Sequence, residues 1–233
     1  MTVMLYLIGL GVDFDLGVKA LNIVKKADRV YLESYTSPVD FSVIDSYGFN
    51  YDVLSREQIE EEFNVLDAKE KDIVILVPGD PLTATTHISL ILEAYEKKVP
   101  YKVIHASSVY TAVCETGLQI YKFGRSTTMP ATGEKSFYTV IEENMSLGLH
   151  TLVLVDPELD SKQAIEMLLS MGFPSDYKIV LASKLGYDST IYYGKASDLA
   201  ADVDKPFCII IPGKLHFMEQ EFLDKVYKYN SVK

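Results

Sequence analysis

The chain contains no tryptophan, only two cysteines and only four histidines among its 233 residues. Two cysteines, Cys114 and Cys208, are too few for a disulfide framework and show no metal-ligand spacing, so we expect both to be small, buried, hydrophobic side chains. The histidines form no His-x-x-x-His pair, which disfavours a zinc site. The sequence therefore predicts a protein without a bound metal.

Long apolar runs are also missing. No run approaches the roughly 20 residues that a membrane-spanning helix needs. The first residues, MTVMLYLIGLGVDF, lack the basic region and the small-residue cleavage site of a signal peptide. We therefore expect a soluble, cytoplasmic protein.

Positive charge is scarce, because 22 Lys and Arg stand against 33 Asp and Glu, for a formal net charge of −11. Binding to a phosphate backbone needs a basic stripe, so nucleic-acid binding is not expected as the main activity. An acidic protein instead suits a basic protein partner or a cationic ligand.

Short apolar runs rich in β-branched residues alternate with amphipathic helical stretches along the whole chain. This alternation predicts an α/β fold with largely parallel strands, because parallel strands covered on both faces carry continuous Val, Ile and Leu, as in DIVILV, TLVLV and FCIII. The predicted strands cover residues 3–10, 29–32, 51–54, 72–77, 101–104, 151–155, 178–182, 190–193 and 207–211.

Helix starts are marked by two capping boxes, in which a side chain at the start of the helix and one three residues later bond each other's backbone. One box joins Ser55 to Gln58, and the other joins Asp160 to Gln163. Two further segments, 16–27 and 86–97, have apolar residues at helical spacing and are predicted to cross over a sheet. In the second of these, the stripe expected to face the sheet consists of Ile88, Ile91, Leu92 and Tyr95.

The length of 233 residues allows one large domain or two small ones. No Pro/Gly/Ser-rich linker divides the chain. A polar stretch at residues 105–108 ends the fifth predicted strand, and the stretch after it, VYTAVCETGLQIYKF, is expected to be helical. We therefore predict an N-terminal α/β domain at residues 1–112 and a C-terminal α/β domain at residues 113–233.

Candidate ligand-binding segments follow the strands, because open α/β sheets bind ligands at the carboxyl ends of their strands. The first strand is followed by GLGVDF, which has the first two glycines of G-x-G-x-x-G, at Gly9 and Gly11, but Phe14 at the third position. The segment predicts a tight turn with a close backbone approach, and a plain strand-to-helix turn remains the alternative.

The most unusual stretch is PGDPLTATTH, at residues 78–87 after the fourth strand. Two prolines bracket Gly79 and Asp80, which predicts that the Asp80 carboxylate is held in a rigid turn. An uncharged cradle of threonine hydroxyls and free amides with one carboxylate suits ribose hydroxyls or an ammonium group better than a triphosphate. The alternative is that Asp80 only anchors its own loop.

A second candidate edge is HASSV, at residues 105–109, where Ser107 and Ser108 are either ligand contacts or helix caps. Weaker candidates end strands of the second half at residues 155–156, 183–186 and 211–214. No nucleophile motif, cysteine-base pair or carboxylate pair is present. The residues alone therefore assign no catalytic group.

Six ordered segments resemble the diphthine synthase family, which lies within the wider family of tetrapyrrole methylases, in forms nearest its archaeal members. The resemblance covers nearly the whole chain. The matching segments are LYLIGLG, ADRVYLESYTS, GDPLTATTHISLILEAY, GLQIYKFG, GLHTLVLVD and IIIPGKLHFMEQEFL.

The resemblance implies a methyltransferase with two α/β domains, S-adenosylmethionine in the cleft between them, and a homodimer. The implied substrate is the modified histidine of translation elongation factor 2, whose 3-amino-3-carboxypropyl arm is trimethylated on its amino group. The implied cofactor contacts are Val12, Asp80, Thr83, Ser108, Val109, Val155, Leu185 and Cys208.

The chain departs from the family pattern in two respects. Cys208 stands where relatives usually have a histidine, which limits that contact to the backbone or to packing. The segments 129–137 and 157–177 are shorter than in relatives, and the first lacks the usual tryptophan-bearing stretch, so recognition of the protein substrate is less well defined than cofactor binding.

Three rival functions remain. A tetrapyrrole methyltransferase shares the fold and cofactor but needs a site for a polycarboxylate macrocycle, which a chain of net charge −11 suits poorly. A nicotinamide-dependent oxidoreductase would place Gly9 and Gly11 at the pyrophosphate and Glu33 on the ribose, but it lacks the third glycine. A non-enzymatic acidic interaction module would need no ligand site.

Overall fold

The computed structural model describes residues 3–199 and 202–227, which contain ten strands arranged in two five-stranded sheets. The strands are β1 (Leu5–Gly9), β2 (Arg29–Glu33), β3 (Asp52–Leu54), β4 (Ile73–Val77), β5 (Tyr101–Ile104), β6 (Thr127–Met129), β7 (Thr151–Val155), β8 (Lys178–Ser183), β9 (Thr190–Lys195) and β10 (Phe207–Ile211). The helices are α1 (Val18–Val24), α2 (Phe41–Ser46), α3 (Ile88–Glu96), α4 (Val109–Ala112), α5 (Ser136–Ser146), α6 (Ser161–Ser170) and α7 (Phe217–Val226).

The chain divides into two compact units, residues 1–110 and 111–233, and each holds one sheet. The predicted domain boundary after residue 112 lies two residues further along the chain. No helix among the described residues has the length and apolar character needed to cross a membrane.

The N-terminal sheet is entirely parallel, with the strand order β3-β2-β4-β1-β5. Successive side chains of a strand point to opposite faces, so each strand contributes to two hydrophobic layers. Leu7 and Ile75 pack in one layer with Leu90 of α3. Ile8 packs in the other with Ala20 of α1. Helices cover both faces, which confirms the predicted α/β layering in this unit.

The second sheet corrects the expectation of largely parallel strands. Its order is β6-β7-β10-β8-β9, and β10 runs antiparallel to both of its neighbours, as β9 does to β8. Only β6 and β7 are parallel among the described strands of this sheet. The continuous apolar run of β10 reflects burial of a central strand on both faces, and burial of that kind does not depend on strand direction.

Helix α3 is present as predicted, but it turns a different face to the sheet. Leu90 and Ala94 are buried, whereas Ile88, Leu92 and Tyr95 are 60%, 58% and 72% exposed. The segment ISLILEAY has apolar residues around most of the helix, so two stripes of helical spacing compete and periodicity cannot choose between them. The predicted stripe is therefore wrong for Ile88, Leu92 and Tyr95, whereas Ile91 is partly buried against the core as expected.

Both predicted capping boxes are confirmed. Asp160 Oδ1 accepts from the Gln163 amide at 2.8 Å while the Gln163 side chain accepts from the Asp160 amide at 2.9 Å. Ser55 and Gln58 form the same reciprocal pair at 2.9 and 3.2 Å. The stretch 109–123 is not one helix, since it stops at Gly117, whose φ of +79° ends a short 3-10 turn. The short strand β6 was not predicted.

Candidate functional site

Three loops meet at the carboxyl edge of the N-terminal sheet, after the neighbouring strands β4, β1 and β5. They cover residues 10–17, 78–87 and 105–108. The first two are joined by backbone pairing: the Gly11 amide donates to the Gly79 carbonyl at 3.1 Å, and the Gly79 amide donates back to Gly11 at 3.0 Å. The paired loops extend the sheet beyond its last strand residues and form a fixed platform.

Gly9, the last residue of β1, and Gly11 in the first loop are required by this close approach. A Cβ on Gly9 would lie 2.5 Å from the Gly79 carbonyl oxygen and 2.8 Å from Ala106 Cβ. Gly11 has a φ of +73°, and a Cβ there would meet Ser107 Oγ at 2.8 Å. The predicted tight turn with a close backbone approach is thus confirmed.

Ser107 joins the third loop to the first. Its Oγ accepts a hydrogen bond from the Val12 amide at 3.0 Å, across 95 residues of sequence. Its hydroxyl therefore holds a neighbouring loop. Ser108 is buried, and Val109, the first residue of α4, is half-buried.

Asp80 lies at the centre of the platform and is only 7% exposed. Its Oδ1 accepts from the Leu82 amide at 3.0 Å and from Thr83 Oγ1 at 3.1 Å. Its Oδ2 lies 2.8 Å from His105 Nδ1 and accepts from the Ala106 amide at 3.2 Å. The carboxylate thus uses all of its roughly four acceptor positions within the platform.

The pKa of Asp80 is lowered from its ordinary value of 3.8. Burial opposes ionisation, but the hydrogen bonds from Leu82, His105, Ala106 and Thr83 favour the charged form more strongly. A carboxylate held in this way can fix the loop after β4 against the loop after β5, and its remaining effect on a ligand is that of a nearby negative charge.

The three loops contain no Lys or Arg, and they carry three carboxylates, at Asp13, Asp15 and Asp80. Sites for phosphate groups rely on basic side chains or on amides free to donate, and here the amides of Gly11, Val12 and Gly79 are already engaged. The chemistry of this edge therefore favours a cationic ligand over a phosphorylated one.

The second unit brings together three of the residues taken from the family resemblance. Val155 ends β7, Leu185 follows β8, and Cys208 is the second residue of β10, opposite Leu154 and Ala182. Cys208 reaches this edge because β10 is antiparallel to both neighbours. Its side chain is buried, which raises the pKa of the thiol to about 12. The expectation that both cysteines are buried is wrong for Cys114, which is exposed.

Sequence reasoning missed a second polar cluster at the edge of the N-terminal sheet, made by Glu33, Tyr35 and His87. Glu33 and His87 are 0% and 1% exposed. A buried Glu at the end of an apolar strand was visible in the sequence, but its partner is 54 positions away and no motif links the two. Within the described ranges, no group of three or more His, Cys, Asp or Glu is placed to hold a metal ion.

Comparisons with known proteins agree with this architecture. The family model of the tetrapyrrole (corrin/porphyrin) methylases matches residues 4–200. A diphthine synthase of Methanocaldococcus jannaschii is 38% identical over 94% of this chain and 97% of its own length. One of Methanococcus maripaludis strain C6 is 36% identical over 97% and 99%. A crystal structure of a diphthine synthase superposes with a TM-score of 0.90 at 35% identity, covering 97% of this chain and 96% of that one.

Proposed function

This chain belongs to the diphthine synthases of the tetrapyrrole methylase family and is a methyltransferase, and we propose that S-adenosylmethionine is its methyl donor. We further propose that the acceptor is the amino group of the 3-amino-3-carboxypropyl-histidine of translation elongation factor 2. The observation that carries this proposal is the platform of three loops around Asp80, which is tied by hydrogen bonds and contains no Lys or Arg.

The residues present fit this donor. Its sulfonium and amino groups are positive, and the platform offers three carboxylates and no Lys or Arg. Val12, Asp80, Thr83, Ser108 and Val109 would hold it from the N-terminal unit. The corresponding roles of Val155, Leu185 and Cys208 in the second unit stay predictions. When bound, the donor supplies a methyl group from its sulfonium.

The chain's own contribution is then mainly positioning. Holding an amine and a methyl carbon roughly 3 to 3.5 Å apart and in line can supply about 7 to 11 kcal/mol of the barrier. The platform is held by backbone hydrogen bonds and by Asp80, so little of this reduction in the barrier is lost to motion of the loops. The negative charge of Asp80 also favours a cation beside it, and Asp80 itself does not react.

Methyl incorporation into purified elongation factor 2 tests the proposal. We expect transfer from labelled S-adenosylmethionine to the factor that carries the 3-amino-3-carboxypropyl arm, and none to the factor with an unmodified histidine. Transfer to a tetrapyrrole instead would support the family's other substrate class. A thermal shift with NAD and none with S-adenosylhomocysteine would contradict the proposal.

Asp80→Ala is expected to weaken S-adenosylmethionine binding by at least tenfold, about 1.4 kcal/mol. The substitution leaves the Leu82 and Ala106 amides without their acceptor, so the platform loses its shape as well as its charge. Titration calorimetry measures the effect. Asp52→Ala, at an exposed position of β3 in the same unit, is the matched control and should leave binding unchanged. Equal affinity of the Asp80→Ala protein would reject this role.

The acidic surface is proposed to attract a basic face of the elongation factor. With a net charge of −11, the association rate should fall as salt rises, since charges further apart than about 10 Å are screened at 0.1 M ionic strength. Stopped-flow association at increasing salt measures this. A rate that does not change with salt would show that the two proteins do not attract each other by charge.

The homodimer remains part of this proposal. The exposed apolar residues Ile88, Leu92 and Tyr95 on α3 are compatible with a contact between copies. Sedimentation velocity of the purified chain distinguishes a dimer from a monomer directly.

A further inference from the structure

A second polar cluster lies at the carboxyl edge of the N-terminal sheet, beside β2, and β4 separates β2 from β1. β2 pairs with β4, so the loops that follow these two strands adjoin. Glu33 is the last residue of β2, Tyr35 follows it, and His87 closes the same loop that carries Asp80. The platform described above uses none of these three side chains.

Glu33 is fully buried and held in one orientation. Its Oε1 accepts from the amides of Tyr35 and Thr36 at 2.7 and 2.6 Å, and its Oε2 accepts from Thr36 Oγ1 at 2.7 Å. Three hydrogen bonds satisfy a carboxylate without a cation beside it. Its Oε2 keeps capacity for a further donor, because a carboxylate oxygen has two lone pairs.

One ring nitrogen of His87 faces both this carboxylate and the Tyr35 hydroxyl. Its Nε2 lies 3.3 Å from Tyr35 Oη and 3.9 Å from Glu33 Oε2. Its Nδ1 is buried and makes no hydrogen bond of normal geometry within residues 3–199 and 202–227, and the Pro81 carbonyl is the backbone acceptor that acts on the ring. An imidazole used only for packing would leave this polar atom without a well-formed hydrogen bond at a cost in stability, which an apolar ring would avoid. Both oxygens face the same nitrogen, so a proton that Nε2 accepts from the hydroxyl lies near the Glu33 carboxylate, whose negative charge stabilises the charge the ring gains.

The charge states suit that role. Burial lowers the pKa of His87 from its ordinary value of 6.5, while Glu33, the Pro81 carbonyl and Glu60 act in the opposite direction, so the ring is neutral and able to accept a proton near pH 7. Burial and Glu33 raise the pKa of Tyr35, which keeps its hydroxyl protonated. Arg56 and Glu60, which pair with each other at 3.0 Å, are the other charged groups that act on Tyr35.

We propose that the Tyr35 hydroxyl contacts the amine of the methyl acceptor and that His87 Nε2 receives the amine's proton through it, an inference that rests on the proposed methyl transfer to an amine. Tyr35 is then a catalytic residue. His87 and Glu33 are positioning residues that act through it. The half-buried tyrosine is the outer end of the cluster, and the buried His87 and Glu33 are its inner end.

The proton balance is complete without a further reactant. The ammonium form of the acceptor gives one proton to Tyr35 Oη as the hydroxyl proton moves to His87 Nε2, where Glu33 Oε2 faces the new imidazolium. The neutral amine then forms a bond to the methyl carbon with its lone pair, and the sulfur keeps the electron pair of the bond that breaks. The imidazolium returns its proton to solvent through Tyr35. The cycle is needed before each of the three transfers, because every transfer to a neutral amine leaves an ammonium; the third product is a quaternary ammonium with no proton to lose.

The test compares Tyr35→Phe with the unsubstituted chain across about pH 6 to about pH 9, using elongation factor 2 with the modified histidine as acceptor. We expect kcat near pH 7 to fall by about 100-fold, at the lower end of general-base effects. The loss should shrink as the pH rises, because more of the amine is then neutral without help. KM and the calorimetric affinity for S-adenosylhomocysteine should stay within about twofold of the parent. Glu33→Gln and His87→Gln should show the same pH-dependent loss.

Tyr121→Phe removes a hydroxyl from a tyrosine that is 78% exposed in the other unit, and it should match the parent at every pH. A rate ratio that stays constant across the pH range, or that is below about threefold near pH 7, overturns the proton-acceptor role while methyl transfer itself stands. An unsubstituted chain that transfers no methyl group to the acceptor overturns the proposed function and this inference together.

Discussion

Gly9→Ala is expected to slow methyl transfer by about 100-fold, because the added Cβ would lie 2.5 Å from the Gly79 carbonyl oxygen. Ordinary contact begins at 3.4 Å, so one of the two loops must move by about 0.9 Å. The contact is with backbone and, at 2.8 Å, with Ala106 Cβ, and neither can rotate away as a flexible side chain would. A displacement of about 1 Å away from the reacting atoms can cost about 10²-fold in rate.

Single-turnover methyl transfer measures this loss without interference from product release. Gly17→Ala is the matched control, since no atom lies within 4 Å of the Cβ that it would add. The control should keep a rate close to that of the parent. If Gly9→Ala keeps its rate within about threefold, the paired loops are not part of the methyl-donor site.

Glu219→Ala is expected to lower the free energy of unfolding by about 3 to 5 kcal/mol, the usual consequence of removing one partner from a buried charged network. Glu219 is 1% exposed. Its Oε1 accepts from the Gln119 amide at 2.8 Å and from His150 Nε2 at 3.1 Å, and its Oε2 accepts from the His216 amide at 2.6 Å and from Lys122 Nζ. Four donors therefore lose their acceptor at once.

The hydrogen bonds of His150 fix which of its ring nitrogens carries the proton. Its Nδ1 accepts from the Gly213 amide at 2.8 Å, so in the neutral ring the proton is on Nε2 and points to Glu219. Urea unfolding followed by circular dichroism suits a chain without tryptophan. Glu221→Ala, on the same helix at an exposed position, should leave stability nearly unchanged. Equal stability of the Glu219→Ala and Glu221→Ala proteins would contradict the prediction.

The same network predicts how stability depends on acid. Burial opposes ionisation of Glu219, but the hydrogen bonds from Lys122, Gln119, His216 and His150 lower its pKa from 4.5 to about 2. Between these values the unfolded chain binds a proton that the folded chain does not, so the contribution is present above about pH 4.5 and is lost as the pH falls toward 2. Burial also lowers the pKa of His150 from 6.5, although Glu219 acts to raise it. The unfolded chain therefore binds this proton more readily than the folded chain, and the free energy of unfolding also falls as the pH drops below about 6.5. Removing Glu219 should flatten the acid part of the profile.

Much of the fold follows from the pattern of the chain. The spans 151–155 and 207–211 were predicted to the residue, because a strand buried on its faces leaves an unbroken apolar run. The edge strand 101–104 was also predicted to the residue, although its first two residues are exposed. The capping boxes were predictable because each is local, with both partners three residues apart. The turn at Gly9 and Gly11 followed from the need for backbone approach without a side chain.

The same patterns carry no information on what lies across a sheet or a helix. Hydrophobic periodicity indicates which positions are buried but not which element packs against them. It therefore led to the wrong direction for β10 and the wrong buried face for α3. The partners of Asp80, at His105 and Ala106, are 25 and 26 positions away, and no local rule connects them. The family resemblance pointed to the residues of the site, but it did not show that the Asp80 carboxylate is already fully engaged by the protein.

By itself the sequence determined the α/β layering, the segments that end the strands and the family, since each depends on residue types at short spacing. Only the tertiary structure decided which loops touch, which helix face is buried, and which carboxylates find a histidine or a lysine. The physical reason is that the tendency of a segment to be buried depends on its own apolar residues. The hydrogen-bond partners of a buried charge, in contrast, can lie far away in sequence and become neighbours only when the chain folds.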